Sequence, residues 1–165
     1  MKIRSILTAA VLGGIATMAF AAQQVRFAAG HASVPLPDAF QVSASGEDLN
    51  ATFGKTGDHQ LEITLIKDLA GPGVADDSAV LFVEAQGKKK GVKVSRSGNR
   101  AVLMEAGQQE KRGDTTFQSA HWQIAVGTCL FTMTVTAPLP MSKELDEFLG
   151  ESLNTIVQEI SCGES

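Results

Sequence analysis

The residues that could perform chemistry in this chain are few and lie far apart in the sequence. The histidines are His31, His59 and His121, and none has the HxxxH or HExxH spacing that places metal ligands on one helix face. No GxSxG segment or activated-cysteine signature accompanies them. A hydrolase would need a site that is assembled only in three dimensions, around His121, Asp114 and Ser119. We therefore expect no catalytic activity, no bound cofactor and no metal.

The two cysteines, Cys129 and Cys162, are predicted to form a disulfide. Thr128 to Thr136 alternates apolar and polar residues, which is typical of a half-buried strand with Cys129 on its core face. Ser142 to Ser161 has the apolar spacing of a helix, and a helix that doubles back over the sheet brings Cys162 to Cys129. A redox pair would lie closer in sequence, and a zinc site would need more ligands. The pairing indicates an oxidising compartment.

The first 21 residues predict export from the cytoplasm. Lys2 and Arg4 precede an apolar run from Ile6 to Phe20, and Ala19-Phe20-Ala21 is an A-x-A cleavage site. The alternative is an N-terminal membrane anchor, but a run of about 15 residues is shorter than the roughly 20 that span a bilayer. The cleavage site has no cysteine, so we do not expect a bacterial lipoprotein. We expect a Sec-type signal peptide over residues 1–21 and a mature protein in the periplasm.

Length and charge restrict what the mature chain, residues 22–165, can bind. Its 144 residues fit a single domain. Loss of Lys2 and Arg4 leaves 12 basic against 18 acidic residues, a net charge of −6. Such a balance disfavours nucleic acid and anionic membranes, because phosphates require Lys/Arg clusters, and it is compatible with a basic protein partner. Without a second spanning apolar run, we expect no stable membrane insertion after cleavage. The oligomeric state is left open.

The remaining pattern predicts an α+β fold: an antiparallel central sheet with a C-terminal helix and one mid-chain helix packed against it. The mid-chain helix is expected from Asp76 to about Gln86, with Lys88–Lys90 closing it before Gly91, as the helix dipole favours. An anion or partner site is the alternative role of these lysines. Strands are predicted at Val25–Ala29, Gln41–Ala44, Leu49–Phe53, Gln60–Lys67, Val92–Arg96, Arg100–Ala106, Thr115–Val126 and Thr128–Thr136.

Two polar, glycine-bearing connections are the candidate partner-contact sites, since such loops present side chains freely. One is the turn around Ser45 to Asp48, and the other is a loop predicted from Gln108 to Thr115, whose Arg-Gly-Asp triplet we interpret as a turn. Plain solvated turns are the alternative for both. The candidate contact residues are Glu47, Asp48, Gln109, Glu110, Arg112 and Asp114.

The order of these parts resembles the PsbP-like α/β family, which includes extrinsic photosystem proteins, a Ran-binding nuclear transport factor and periplasmic proteins of the DcrB type. The resemblance lies in VPLPDAFQVS (Val34–Ser43), RAVLMEAG (Arg100–Gly107), HWQIAVGTCLFTMTVTAP (His121–Pro138) and the closing helix. It implies an antiparallel sheet with packed helices. It also implies an accessory or binding role without a shared catalytic set, so no active-site residue is carried over.

These observations favour a small exported binding or accessory protein that acts on another envelope protein without catalytic activity. A sharper hypothesis is an immunity or inhibitor protein that occludes a toxin or hydrolase in the envelope. The hydrolase described above remains an alternative. A small-ligand or lipid carrier is another, with a cavity lined by Phe131, Met133, Leu149 and Leu153, although these residues would more simply form a packed core.

Overall fold

The computed structural model describes residues 22–28, 32–53, 59–68 and 75–163, and within these ranges the chain forms ten strands and two helices. The predicted signal peptide and His31 lie outside the described residues. The elements are β1 (Ala22–Arg26), β2 (Ala32–Pro37), β3 (Gln41–Ser45), β4 (Asp48–Phe53), β5 (His59–Asp68), α1 (Ser78–Lys90), β6 (Val94–Ser97), β7 (Arg100–Arg112), β8 (Thr115–Val126), β9 (Cys129–Leu139), α2 (Lys143–Glu159) and β10 (Ser161–Cys162).

The strands form two antiparallel sheets. The larger has seven strands in the order β3-β4-β5-β9-β8-β7-β6, and the smaller has three in the order β1-β2-β10. With two helices packed against them, this arrangement confirms the predicted α+β class. The smaller sheet was not predicted, because β10 is two residues long and pairs with a segment more than 120 residues earlier.

The main hydrophobic core lies between the large sheet on one side and α2 with the small sheet on the other. Alternation along β9 directs Phe131 and Met133 into this core, and the apolar stripe of α2 contributes Leu149, Leu153 and Ile156. The four side chains considered as the lining of a carrier cavity are thus packed together in the core. Trp122, the one tryptophan of the chain, is buried in the same cluster.

Helix α1 covers part of the opposite face of the large sheet. Its Ala79, Val80 and Val83 pack against Ala101 and Leu103 of β7 in a second, smaller cluster. The helix begins two residues later than predicted and extends through the three lysines, which form its last turn. Gly91 then ends it in the left-handed conformation (φ 67°), as expected of a glycine C-cap.

The stretch before Phe40 and the predicted loop from Gln108 to Thr115 also differ from the prediction. The stretch before Phe40 forms β2 even though Pro35 and Pro37 lack an N–H group. Among the described residues, β10 pairs with β2 only at Ala32 and Ser33. The edge of β2 that faces β10 is therefore unpaired beyond Ser33, and it tolerates proline there. β7 continues to Arg112, and the predicted loop shrinks to a two-residue turn at Gly113 and Asp114.

The predicted disulfide between Cys129 and Cys162 is present, with Cα atoms 6.1 Å apart, a separation that the bond requires. Cys129 begins β9 on the core face, and β10 returns along β2 to bring Cys162 to it. In the described part of the chain, no helix is long and apolar enough to cross a membrane.

Candidate functional site

The large sheet has a face that α1 covers only at one end. Leu130 of β9 and Ala125 of β8 are buried under the helix, but the residues that follow on the same face are polar. Thr132, Thr134 and Thr136 alternate with the core residues of β9 and are half-buried. The antiparallel alternation leaves this face in contact with solvent, as is common in such sheets.

Three strands place a row of polar side chains across this face. Register pairs Glu105 of β7 with His121 of β8, and His121 with Thr134 of β9. His121 Nδ1 and Thr134 Oγ1 share a hydrogen bond of 2.9 Å. Lys90, at the end of α1, donates to both carboxylate oxygens of Glu105 at 2.9 and 2.8 Å. The row is therefore held in place at both ends.

A β-bulge interrupts β7 directly beside this row, because the register with β8 shifts between Ala106 and Gln109. Ser119 locks the bulge: its Oγ accepts from the Gln108 N–H and donates to the Gln108 carbonyl, each at 3.2 Å. A Cβ atom on Gly107 would overlap the backbone carbonyl of Ser119, so the close approach of the two strands requires glycine.

The bulge leaves a concavity of about 460 Å³ that is open to solvent. The charged or titratable residues that line it are Glu105, Glu110 and His121. The bulge residues and Ser119 form the rest of the lining. It carries two carboxylates and no lysine or arginine. Both carboxylates are already paired, Glu105 with Lys90 and Glu110 with Arg112, so a cationic group can bind here by replacing one of these neighbours.

Beyond the concavity, the β7–β8 hairpin carries a charged and aromatic cluster. The Arg112 guanidinium lies 4.9 Å from the centroid of the Phe117 ring and donates to a Glu110 carboxylate oxygen at 3.0 and 2.8 Å. The hydrogen bond and then the charge of Arg112 lower the pKa of Glu110, and Glu110 raises the pKa of Arg112 for the same reasons. We call the surface formed by Glu105, Gln108, Glu110, Arg112, Phe117 and His121 the bulge face.

The structure separates the two groups of predicted contact residues. Glu47 lies in the β3–β4 turn, and Asp48 begins β4, where it accepts a 2.8 Å hydrogen bond from Thr64. Register aligns Asp48 with the end of the sheet that α1 covers, while the turn at Asp114 lies at the other end. Nine residues of β8 at about 3.4 Å each put roughly 30 Å between the two ends, so the loops do not form one site.

Of the predicted hairpin residues, Glu110 and Arg112 belong to the bulge face, and Gln109 lines the concavity. They lie on a strand instead of a loop, because cross-strand pairs such as Gln109 with Gln118 continue the ladder to the tip. Sequence reasoning missed Glu105 and Phe117 as members of this surface. The pairing of Phe117 with Glu110 follows from the two-residue turn, whereas that of Glu105 with His121 depends on the bulge, which the sequence marks only with Gly107.

The hydrolase constellation is not assembled. Ser119 Oγ is occupied by the bulge backbone, and His121 is bonded to Thr134. Asp114 lies in the hairpin turn, about 17 Å along the strand from Ser119 and about 24 Å from His121. Within residues 22–28, 32–53, 59–68 and 75–163, no group of three or more His, Cys, Asp or Glu side chains could hold a metal ion.

No protein-family model and no curated protein sequence matches this chain. Solved structures share its fold at low identity. A protein from Bacteroides thetaiotaomicron VPI-5482 is 11% identical with a TM-score of 0.56, covering 81% of this chain and 46% of that chain. This chain therefore spans less than half the length of that protein.

The protein Mog1 is similar over nearly its whole length. A single-residue mutant of Mog1 is 11% identical with a TM-score of 0.50, covering 88% of this chain and 97% of that chain. The Ran-binding protein Mog1p of Saccharomyces cerevisiae is 10% identical with a TM-score of 0.47, covering 87% of this chain and 96% of that chain. Cyanobacterial PsbP from Synechocystis sp. PCC 6803 is 10% identical with a TM-score of 0.34, covering 92% of this chain and 98% of that chain. At 11% identity and a TM-score of 0.50, the similarity to the Mog1 mutant shows a shared fold alone.

Proposed function

We propose that this chain is a small exported accessory protein that binds another protein of the bacterial envelope through the bulge face and performs no reaction itself. The observation that carries the proposal is the concavity beside Gly107, which is polar, open and fixed by hydrogen bonds between the Ser119 hydroxyl and the Gln108 backbone. Its serine and histidine are engaged in structural hydrogen bonds, so its residues suit recognition better than catalysis.

The charge of the concavity favours a basic partner. Glu105 and Glu110 line it, and their cationic neighbours Lys90 and Arg112 form exposed ion pairs. Exposed pairs contribute little to stability, so a lysine or arginine of a partner can take the place of either neighbour at small cost. The net charge of −6 on the mature chain would also steer a basic protein toward it.

The hairpin next to the concavity offers an anchor for the same partner. Phe117 is half-buried under the Arg112 guanidinium, and aromatic residues and arginine are enriched in protein interfaces. The Saccharomyces cerevisiae neighbour is named a Ran-binding protein. From that name we extend to this chain only the binding of a protein, not Ran itself.

The proposal includes export to the periplasm because of the sequence of residues 1–21. A more specific version of the proposal is that the protein is an inhibitor or immunity protein. The location is tested by N-terminal sequencing of the protein from its own cells. A mature chain beginning at Ala22 in the periplasmic fraction is expected. An intact Met1 in the cytoplasm would remove the envelope partner from the proposal.

The binding role is tested by affinity purification of the oxidised mature protein from its own envelope fraction, followed by mass spectrometry. We expect one stoichiometric basic protein. Replacing both carboxylates (Glu105→Gln with Glu110→Gln) should weaken its retention by about tenfold or more, since charged hydrogen bonds are worth about 1.5–3 kcal/mol each.

The matched control replaces two exposed carboxylates of α2, Glu151→Gln with Glu159→Gln, and should retain the partner. Elution without any partner, or equal loss in both double variants, would refute the bulge face as the binding site. If the partner is a hydrolase that stays fully active when bound, the inhibitor hypothesis fails while the accessory role stands.

A further inference from the structure

Helix α1 carries apolar side chains on the side that faces away from the sheet. Ala79, Val80 and Val83 are fully buried on its inner side. Leu81 and Phe82 remain 48% and 43% exposed, and they are the large apolar side chains left exposed among the described residues. Two neighbouring exposed side chains of this size indicate a contact surface more than scattered exposure does.

The next turns of the same helix bring positive charge beside this apolar pair. Lys88 and Lys89 are exposed, as is Lys93 just after the helix, and none of the three forms an ion pair with a described residue. The other cations nearby are paired, Lys90 with Glu105 and Arg96 with both Glu84 and Asp77, so that one positive charge is shared by two carboxylates.

The described acidic groups near this surface form no ion pair with the three lysines. Glu84 and Asp77 are engaged by Arg96, and exposed Asp76 precedes the helix, about 18 Å from Lys88 at 1.5 Å per residue. The chain as a whole is acidic, so these lysines concentrate positive charge on one surface of it. We call Leu81, Phe82, Ala85, Lys88, Lys89 and Lys93 the outer face of α1.

We propose that the outer face of α1 adsorbs the protein reversibly onto an anionic lipid bilayer. Leu81 and Phe82 enter the boundary between headgroups and acyl chains, while the three lysines contact headgroup phosphates. The expectation that an acidic chain avoids anionic membranes averages over the whole surface, and here the charge is distributed unevenly. Adsorption of this kind involves no helix that spans the membrane.

The pattern along the helix favours a bilayer over the groove of a partner protein. A helix that docks in a groove presents apolar anchors over two or more turns, at spacings such as i, i+4 and i+7. Here the large apolar side chains occupy one turn, and the positions that continue the stripe, Lys88 and Lys89, are basic. A shallow apolar contact with adjacent lysines matches interfacial binding.

The test is sedimentation of the oxidised mature protein with vesicles of equal parts phosphatidylglycerol and phosphatidylcholine, compared with vesicles of phosphatidylcholine alone. Binding is expected to the anionic vesicles only and to weaken as salt is raised. Lys88→Glu with Lys89→Glu should lower the partition coefficient roughly thirtyfold or more, because each lysine near an anionic surface contributes about 1 kcal/mol. Leu81→Ser with Phe82→Ser should lower it by about tenfold.

The matched control is Lys111→Glu with Lys143→Glu, which makes the same charge change at exposed positions on the hairpin and on α2. It should change the partition coefficient by less than about threefold. No sedimentation with anionic vesicles at low salt overturns the proposal, as does equal loss in the control or equal binding to phosphatidylcholine. Loss of a co-purifying acidic protein, with vesicle binding unchanged in the α1 variants, would instead assign this face to that protein. The vesicles contain no protein, so the result is independent of the bulge-face proposal.

Discussion

Arg100 of β7 caps the C-terminal end of α2 by binding the backbone carbonyl of Ile160. Its guanidinium donates hydrogen bonds to the Ile160 carbonyl at 2.7 Å and to the Val157 carbonyl at 2.6 Å. The last carbonyls of a helix have no partner within the helix and carry partial negative charge, so a cation satisfies both needs. Burial lowers the pKa of Arg100, but a guanidinium stays charged at any pH the protein meets.

Replacing Arg100 with methionine should destabilise the fold by about 2–3 kcal/mol, because two charge-assisted hydrogen bonds to half-buried carbonyls are lost. Arg96→Met is the control, since its ion pairs with Glu84 and Asp77 are exposed and should contribute less than about 1 kcal/mol. Urea unfolding of both variants gives the comparison. Similar losses for the two would contradict a special role for Arg100.

The disulfide should stabilise the domain chiefly by restricting the unfolded chain. Cys129 and Cys162 are 33 residues apart, and closing a loop of this length contributes roughly 3–4 kcal/mol in the chain-entropy model. We expect Cys129→Ala with Cys162→Ala to lower the free energy of unfolding by about this amount. Reduced wild-type protein is the control and should unfold at nearly the same urea concentration as the variant. An oxidised protein no more stable than the reduced one would refute this account.

Gly107 and Gly150 should respond oppositely to alanine. At Gly107 a Cβ would overlap the Ser119 backbone, so Gly107→Ala must open the bulge and should cost about 2 kcal/mol or more. At Gly150, inside α2, a Cβ meets nothing within 4 Å, so Gly150→Ala should stabilise by about 0.5–1 kcal/mol through helix propensity. Thermal unfolding distinguishes the two. A neutral Gly107→Ala would mean that the bulge is not fixed by this contact.

The ion pair at the hairpin predicts a measurable titration. The pKa of Glu110 is lowered by Arg112, so any stability from the pair is present above the carboxyl pKa of the unfolded chain and is lost as pH falls through the folded value. An NMR titration of the Glu110 carboxyl should show this shift. Arg112→Gln should return the pKa upward to its ordinary value, whereas Lys111→Gln should leave it unchanged. A Glu110 pKa that is insensitive to Arg112→Gln would show that the pair does not form in solution.

Most of the fold could be predicted from local pattern. Period-two alternation located β8 and β9 within a few residues, and the apolar stripe located α2. Helix α1 was predicted to run to about Gln86 with the lysines closing it before Gly91, and it continues to Lys90 with the lysines as its last turn. These features depend on neighbouring residues, whose preferences the sequence carries directly.

The sequence by itself determined the disulfide partners. The chain has only two cysteines, and the strand that carries Cys129 is followed by a helix that returns over the sheet and brings Cys162 to it. It also determined the core faces of β8 and β9, since a strand's side chains alternate whatever it pairs with. The tertiary structure decided which polar residues share a surface. Glu105 meets His121 only through strand register and a bulge locked by Ser119, and Leu81 becomes exposed only because α1 turns its smaller residues toward the sheet. Both depend on pairing between distant segments, which local sequence pattern does not encode.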